Sequence, residues 1–175
     1  AQRLDDACPF TVALYVDVEG PLDRERLRTA MKIAGAESGV NHARIVIVDD
    51  EPRITIDARA TVPLDVIDLR DADDPAVAAQ QWMRAEYTAP VDVDGTNLYH
   101  SALLRIADDH HLLYLRSHHI VLDGYGAFTL INRIAAIYSA DDPPPSTTPS
   151  IDAMARVEEI ERTYAESPRA ARDLD

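Results

Sequence analysis

Cysteine occurs once in this chain, as Cys8, so no internal disulfide can form and a reducing compartment is expected. No apolar run approaches the roughly 20 residues that span a bilayer. The opening Ala1-Gln2-Arg3-Leu4-Asp5-Asp6 has no apolar stretch of the kind a secretory leader carries. A cytoplasmic protein with no membrane partner is therefore expected. Positive charge is scarce. Seventeen Lys and Arg stand against 31 Asp and Glu, giving a net charge of −14 at pH 7. With no basic patch to displace counterions from phosphates, a nucleic-acid partner is not expected. The acidity suits solubility or a basic partner surface. A glycine-rich phosphate loop is also missing, so nucleotide binding has no motif behind it. No internal repeat is present.

What remains is an ordinary globular balance, 46% hydrophobic and 27% charged over 175 residues, the size of one domain. Residues 11–18 alternate, with Val12, Leu14, Val16 and Val18 on one face, and predict a half-buried strand. Gly20-Pro21 breaks it. Asp23 then caps a helix with Leu27, Ala30, Met31 and Ala34 at helical spacing, ended by Gly35 and Gly39. Residues 43–48 and 53–56 read as a hairpin around Asp49-Asp50-Glu51-Pro52, and residues 66–69 as a short strand. Asp74-Pro75 starts a helix that runs to about Tyr87 and carries Trp82, the single tryptophan. Residues 99–106 and 110–117 form an antiparallel pair about Asp108-Asp109. A helix over 124–138 buries Ile131, Ile134 and Tyr138. Residues 143–149 are a proline-rich linker or surface loop, and a polar helix spans about 151–166. The order is mixed α/β with a mostly antiparallel sheet packed with helices, not the strict alternation of a Rossmann fold.

The run Ser117-His118-His119-Ile120-Val121-Leu122-Asp123-Gly124-Tyr125-Gly126 carries the chemistry, in the pattern HHxxxDG between a strand and a helix. If the strand persists, Leu113, Leu115, Ser117 and His119 share one face, and Leu112, Tyr114, Arg116 and His118 the other. One histidine can then face a cleft while its neighbour faces packing or backbone. A neutral imidazole accepts a proton near neutrality. Asp123 either caps the following helix or pairs with an arginine, and Gly124 and Gly126 allow close backbone approach. A metal held by His118, His119 and Asp123 is not expected, because adjacent strand residues diverge and no cysteine or second carboxylate cluster completes a shell. His110-His111 reads as the flank of a solvent turn, Tyr125 and Phe128 as core or pocket wall. The acidic runs at 71–74 and 141–142 read as solvated loop charges.

The segment from Tyr114 to Gly126 resembles the signature of condensation domains of nonribosomal peptide synthetases, members of the chloramphenicol acetyltransferase-like superfamily. The motif alone is shared with wax ester synthases and polyketide-associated acyltransferases. Further segments extend the likeness over nearly the whole chain: Pro9-Phe10-Thr11-Val12-Ala13, Gly20-Pro21-Leu22-Asp23, Asp68-Leu69-Arg70, Trp82-Met83-Arg84-Ala85-Glu86, Pro90-Val91-Asp92, and Tyr164-Ala165-Glu166-Ser167-Pro168-Arg169. In detail it is similar to the siderophore-type synthetases.

The resemblance implies two similar lobes in a V, with donor and acceptor carrier proteins delivering phosphopantetheine-tethered substrates to a tunnel between them. No cofactor is then bound by the domain itself, and an adenylation domain is its neighbour. The acceptor amine attacks the donor thioester to make an amide. His118, His119, Asp123 and Gly124 become the catalytic set. His119 faces the tunnel as general base or as hydrogen-bond acceptor for the amine. Asp123 is held by an ion pair, Gly124 lies near the developing oxyanion, and Tyr125 and Gly126 line the tunnel. Residues 1–175 read as the N-terminal lobe without its C-terminal lobe, a fragment that folds but does not condense alone. The family's arginine motif, RHExLRxxF, departs here to Glu37-Ser38-Gly39-Val40-Asn41-His42-Ala43-Arg44-Ile45. The partner of Asp123 then falls at His42 or Arg44. Two other readings remain: an ester-forming acyltransferase with the same motif, and a non-catalytic domain that docks carrier proteins.

Overall fold

A computed structural model describes residues 10–56, 64–91, 98–142 and 150–173. Cys8, Asp92 and the proline-rich stretch 143–149 lie outside them. The chain runs β1 (Thr11–Glu19), α1 (Arg24–Ser38), a short 3₁₀ turn (Val40–His42), β2 (Ala43–Val48), β3 (Glu51–Ile56), β4 (Leu64–Asp68), α2 (Pro75–Thr88), β5 (Tyr99–Ala107), β6 (His110–His118), α3 (Gly124–Ser139), α4 (Ser150–Ala165) and α5 (Pro168–Asp173).

Four strands form one sheet in the order β1-β6-β5-β4, with antiparallel pairs β1/β6 and β5/β6 and a parallel pair β4/β5. Period-two alternation divides its side chains between two helical layers. Leu14, Val16, Leu103, Leu113 and Leu115 pack against Leu27, Ala30, Met31 and Ala34 of α1 and Leu130, Ile134 and Ile137 of α3. On the opposite face Ala102, Leu104, Leu112 and Tyr114 meet Ala79, Met83 and Trp82 of α2. The expected mixed α/β lobe with a mostly antiparallel sheet is the fold observed. Among the described residues, no helix is long and apolar enough to cross a membrane.

Helix starts follow their caps. The Asp23 carboxylate accepts from the Glu25 and Arg26 amides, and that of Asp74 from the Val77 amide ahead of Pro75. Gly39 ends α1 in the left-handed region at φ 71°. Gly35 does not end the helix. It keeps a negative φ and is buried one turn inside, where its carbonyl accepts from the Gly39 amide at 3.0 Å. The β2–β3 turn is tighter than expected. Asp49 and Asp50 alone make it, at φ 53° and 62°, and Pro52 sits in β3 opposite Ile47. Aspartate tolerates this region better than most residues, and an edge strand of a two-stranded ribbon accommodates proline. Ile131 and Tyr138 of α3 are half-buried, while Ala127, Leu130, Ile134 and Ile137 form its buried stripe. His111 is buried on the α1/α3 face rather than flanking a solvent turn.

Helices α1 and α3 are joined by a charge pair at their packed faces. Arg133 donates from Nε and Nη2 to the two oxygens of Glu37 at 2.7 and 2.8 Å, and Glu37 is itself buried. The carboxylate keeps the Arg133 guanidinium charged beyond its ordinary range. Removing one partner strands the other's charge. Glu37→Ala is expected to lower unfolding stability by about 3 kcal/mol, while Glu37→Leu combined with Arg133→Met recovers most of it. Urea denaturation of the three proteins checks both effects.

Candidate active site

The site is built where β6 runs out. β6 pairs with β1 to its last residue, placing His118 opposite Thr11. Alternation turns the His118 side chain to the α2 face, where it is 7% exposed. Its amide donates to the Leu98 carbonyl at 2.7 Å, and its Nδ1 accepts the Ile120 amide at 3.1 Å. A ring nitrogen that accepts an amide proton is unprotonated, so the neutral ring carries its proton on Nε2. Burial, with His119 adding like charge, holds His118 below the ordinary imidazole value of 6.5.

His119 leaves the sheet. Its amide still donates to the Phe10 carbonyl at 2.7 Å, but its side chain is exposed. One ring is therefore buried and its neighbour exposed, the division that alternation at a strand end produces. The chain then turns, with the Val121 amide donating to the His118 carbonyl at 3.1 Å, and enters α3.

Asp123 is the N-cap of α3. Its Oδ1 accepts the Gly126 amide at 2.7 Å. A side chain at Gly126 would meet Leu122 Cδ1 at 2.9 Å and Asp123 Oδ1 at 3.1 Å, so the missing Cβ allows the cap to close. Gly124 has open space around it instead. Tyr125 and Phe128 are 82% and 63% exposed and lie outside the core, with Ile120 exposed beside them. Beneath α3, Leu14, Tyr99, Leu115, Leu122, Ala127 and Leu130 line a narrow apolar gap.

Two residues expected at the site are not brought to it. Arg44 donates to the Ala43 carbonyl at 2.8 Å, and His42 ends the 3₁₀ turn. Among the described residues no ion pair joins either of them to Asp123. The carboxylate caps a helix instead, and the acid at the end of α1, Glu37, pairs with Arg133 of α3. That pair was invisible to motif reading. Its signals were an acid on the apolar side of α1 and an arginine next to the buried Ile134 of α3.

A strand-end histidine pair divided between burial and exposure, an aspartate-capped helix and a two-faced mixed sheet match a known family in sequence. The condensation-domain family model matches residues 2–174. The chain belongs to the condensation-domain family. An isonitrile lipopeptide synthase of Streptomyces coeruleorubidus is 36% identical over 177 residues, 99% of this chain and 12% of that protein. Enterobactin synthase component F of Escherichia coli strain K12 is 32% identical over 171 residues, 94% of this chain and 13% of that protein. The starter condensation domain of rhizomide synthetase superposes with a TM-score of 0.87 at 30% identity, over 98% of this chain and 42% of that one. A variant of it has been solved in complex with C8-CoA and Leu-SNAC. The chain thus spans less than half of a condensation domain of known structure, and that portion has the chloramphenicol acetyltransferase-like lobe fold.

His118 links the site to pH. Above about 6.5 the ring is neutral in both the folded and unfolded states, and its burial costs nothing in protonation. Below 6.5 the unfolded ring binds a proton that the buried ring refuses, so stability falls as pH drops through the folded value. Wild type is expected to lose more thermal stability than His118→Gln between about pH 7.5 and pH 5.5. Equal losses contradict this. At the cap, Asp123→Ala is expected to cost about 1 kcal/mol and Asp123→Asn far less, since asparagine also caps. Denaturant melts distinguish the two.

Proposed function

We propose that this chain is the N-terminal lobe of a nonribosomal peptide synthetase condensation domain. In the full-length protein it forms an amide between a carrier-tethered acyl or peptidyl thioester and a carrier-tethered aminoacyl acceptor. The observation that carries the reading is the exposure of His119 beside a buried, tautomer-fixed His118. An imidazole that is free of the fold can serve a substrate, whereas one engaged by the backbone cannot. The acceptor α-amine donates a hydrogen bond to the His119 ring, which orients the nitrogen lone pair toward the thioester carbonyl. As the C–N bond forms and the C–S bond breaks, the amine proton passes to His119 and then to the departing thiolate. The phosphopantetheine arms belong to the donor and acceptor carrier proteins. Gly124 opens α3, whose first amides lie close to His119 in sequence, and its lack of a side chain leaves room for the developing oxyanion. Asp123 holds the helix start in place through its cap. Tyr125 and Gly126 extend this wall along the tunnel. The adenylation domain and the C-terminal lobe complete the machine, and the likeness to enterobactin synthase component F accords with a siderophore-type synthetase.

The departure at the arginine motif, with Asp123 capping a helix and joined to neither Arg44 nor His42, gives a second reading some support. In that reading the domain docks carrier proteins without catalysis. Intact-mass spectrometry of condensation product, using the full-length parent with loaded donor and acceptor carriers, separates the two. His119→Ala is expected to lower product formation at least about 100-fold with carrier binding retained. Product at wild-type level in the variant overturns the histidine's role, and carrier binding without product in wild type favours docking. The 175-residue chain alone is expected to give no turnover.

A further inference from the structure

On the α2 face of the sheet, four polar side chains form a continuous chain that ends two residues from His118. His100 of β5 stands opposite Arg116 of β6 in the register, and Asp65 of β4 stands opposite Ala102, two residues along β5 from His100. Glu86 reaches down from the last turn of α2. His100 Nε2 lies 3.0 Å from Asp65 Oδ2 and its Nδ1 2.7 Å from Glu86 Oε1. Glu86 Oε1 also lies 3.2 Å from Arg116 Nη1, and the same guanidinium donates to the Glu86 backbone carbonyl. That carbonyl lies in the last turn of α2, where it also accepts the Ala89 amide at 3.3 Å and where a cation is favoured. Both ring nitrogens of His100 face carboxylate oxygens at hydrogen-bond distance. Arg116 is buried, His100 and Glu86 are largely buried, and Trp82 closes the side by tilting over His100 at 6.2 Å and meeting Tyr114 edge-on at 5.6 Å.

We propose that His100 and Glu86 are positioning residues for His119, acting through Arg116 and the end of β6. This rests on the reading of His119 as the group that serves the acceptor amine. Apolar packing is tolerant of small sliding motions, whereas hydrogen-bonded charge pairs in a shielded site are steep in distance and angle. The end of β6 has α2 on one side and the turn to α3 beyond it. The Glu86–Arg116 contact ties α2 to the last residues of β6 before the histidine pair, beside the apolar packing of Met83 and Trp82. If it loosens, His118 shifts in its seat and His119 moves with the backbone. A displacement of about 1 Å at a reacting group costs on the order of 100-fold in rate, so a partial loosening at this distance is expected to cost about tenfold.

The test is a double-mutant cycle in the full-length parent, read as initial rates of product formation by intact mass at varied concentrations of loaded acceptor carrier. His100→Ala is expected to lower kcat about tenfold with the acceptor-carrier KM unchanged, and to have no further effect when His119→Ala is already present. Glu86→Gln, which preserves size, provides the same comparison should His100→Ala fold poorly. An equal loss in both backgrounds means a general loss of folded enzyme and overturns the positioning role, as does no loss at all in wild type. If His119→Ala itself leaves the rate unchanged, the functional reading fails, and with it any role for residues that position His119. If His119→Ala removes activity while His100→Ala acts independently of it, this inference alone fails.

Discussion

One residue's step along β6 organises the site. In a strand, neighbours point to opposite faces, so two adjacent histidines at a strand end cannot share an environment. His118 takes the α2 face, loses its solvent, and gives Nδ1 to the Ile120 amide. His119 follows with its backbone still tied to Phe10 and its ring outside. The burial of the first fixes the turn from which the second projects. Shifting the register by one residue would exchange them, and the pairing of β6 with both β1 and β5 prevents that.

Everything else holds that strand end in place. On one face α1 and α3 cover the sheet with aliphatic side chains and are joined at one level by Glu37 and Arg133. They are joined again where the Asp23 amide donates to the Tyr138 hydroxyl and Arg26 donates to the Ala140 carbonyl. The other face carries α2, tied to β6 through Glu86 and Arg116. At the far end of β4, Arg70 bridges Asp68 and Asp108, and holds the Asp68 carboxyl well below the usual carboxylate range. These exposed pairs are screened by water and contribute little to stability. The buried pairs determine orientation more than they add free energy, because the desolvation of each charge offsets most of its attraction.

Much of this was legible in the chain itself. Caps at Asp23, Asp74 and Asp123, the alternation of β1 and β6 and the turn at Asp108-Asp109 are local signals, and each survived into the structure. What escaped is non-local. Gly35 looked like a helix stop but serves inside α1, because burial against neighbours rather than φ determines its use there. The buried stripe of α3 includes Ala127 and Leu130, which depends on which sheet face the helix meets. His111 faces the core because β6 has helices on both sides. The Glu37–Arg133 and His100–Glu86 contacts join residues distant or unpatterned in sequence, and periodicity is blind to them. The expected partner of Asp123 was a motif carried over from relatives, and this chain departs from that motif at the very residues concerned.

His118 and His119 are chemically unlike because one is sealed and one is open. Peptide-mapped modification by diethyl pyrocarbonate near neutral pH tests it most directly. Rapid carbethoxylation of His119 is expected, with His118 spared until the fold is disrupted. Modification of His118 at the rate of His119 in the folded protein would contradict it.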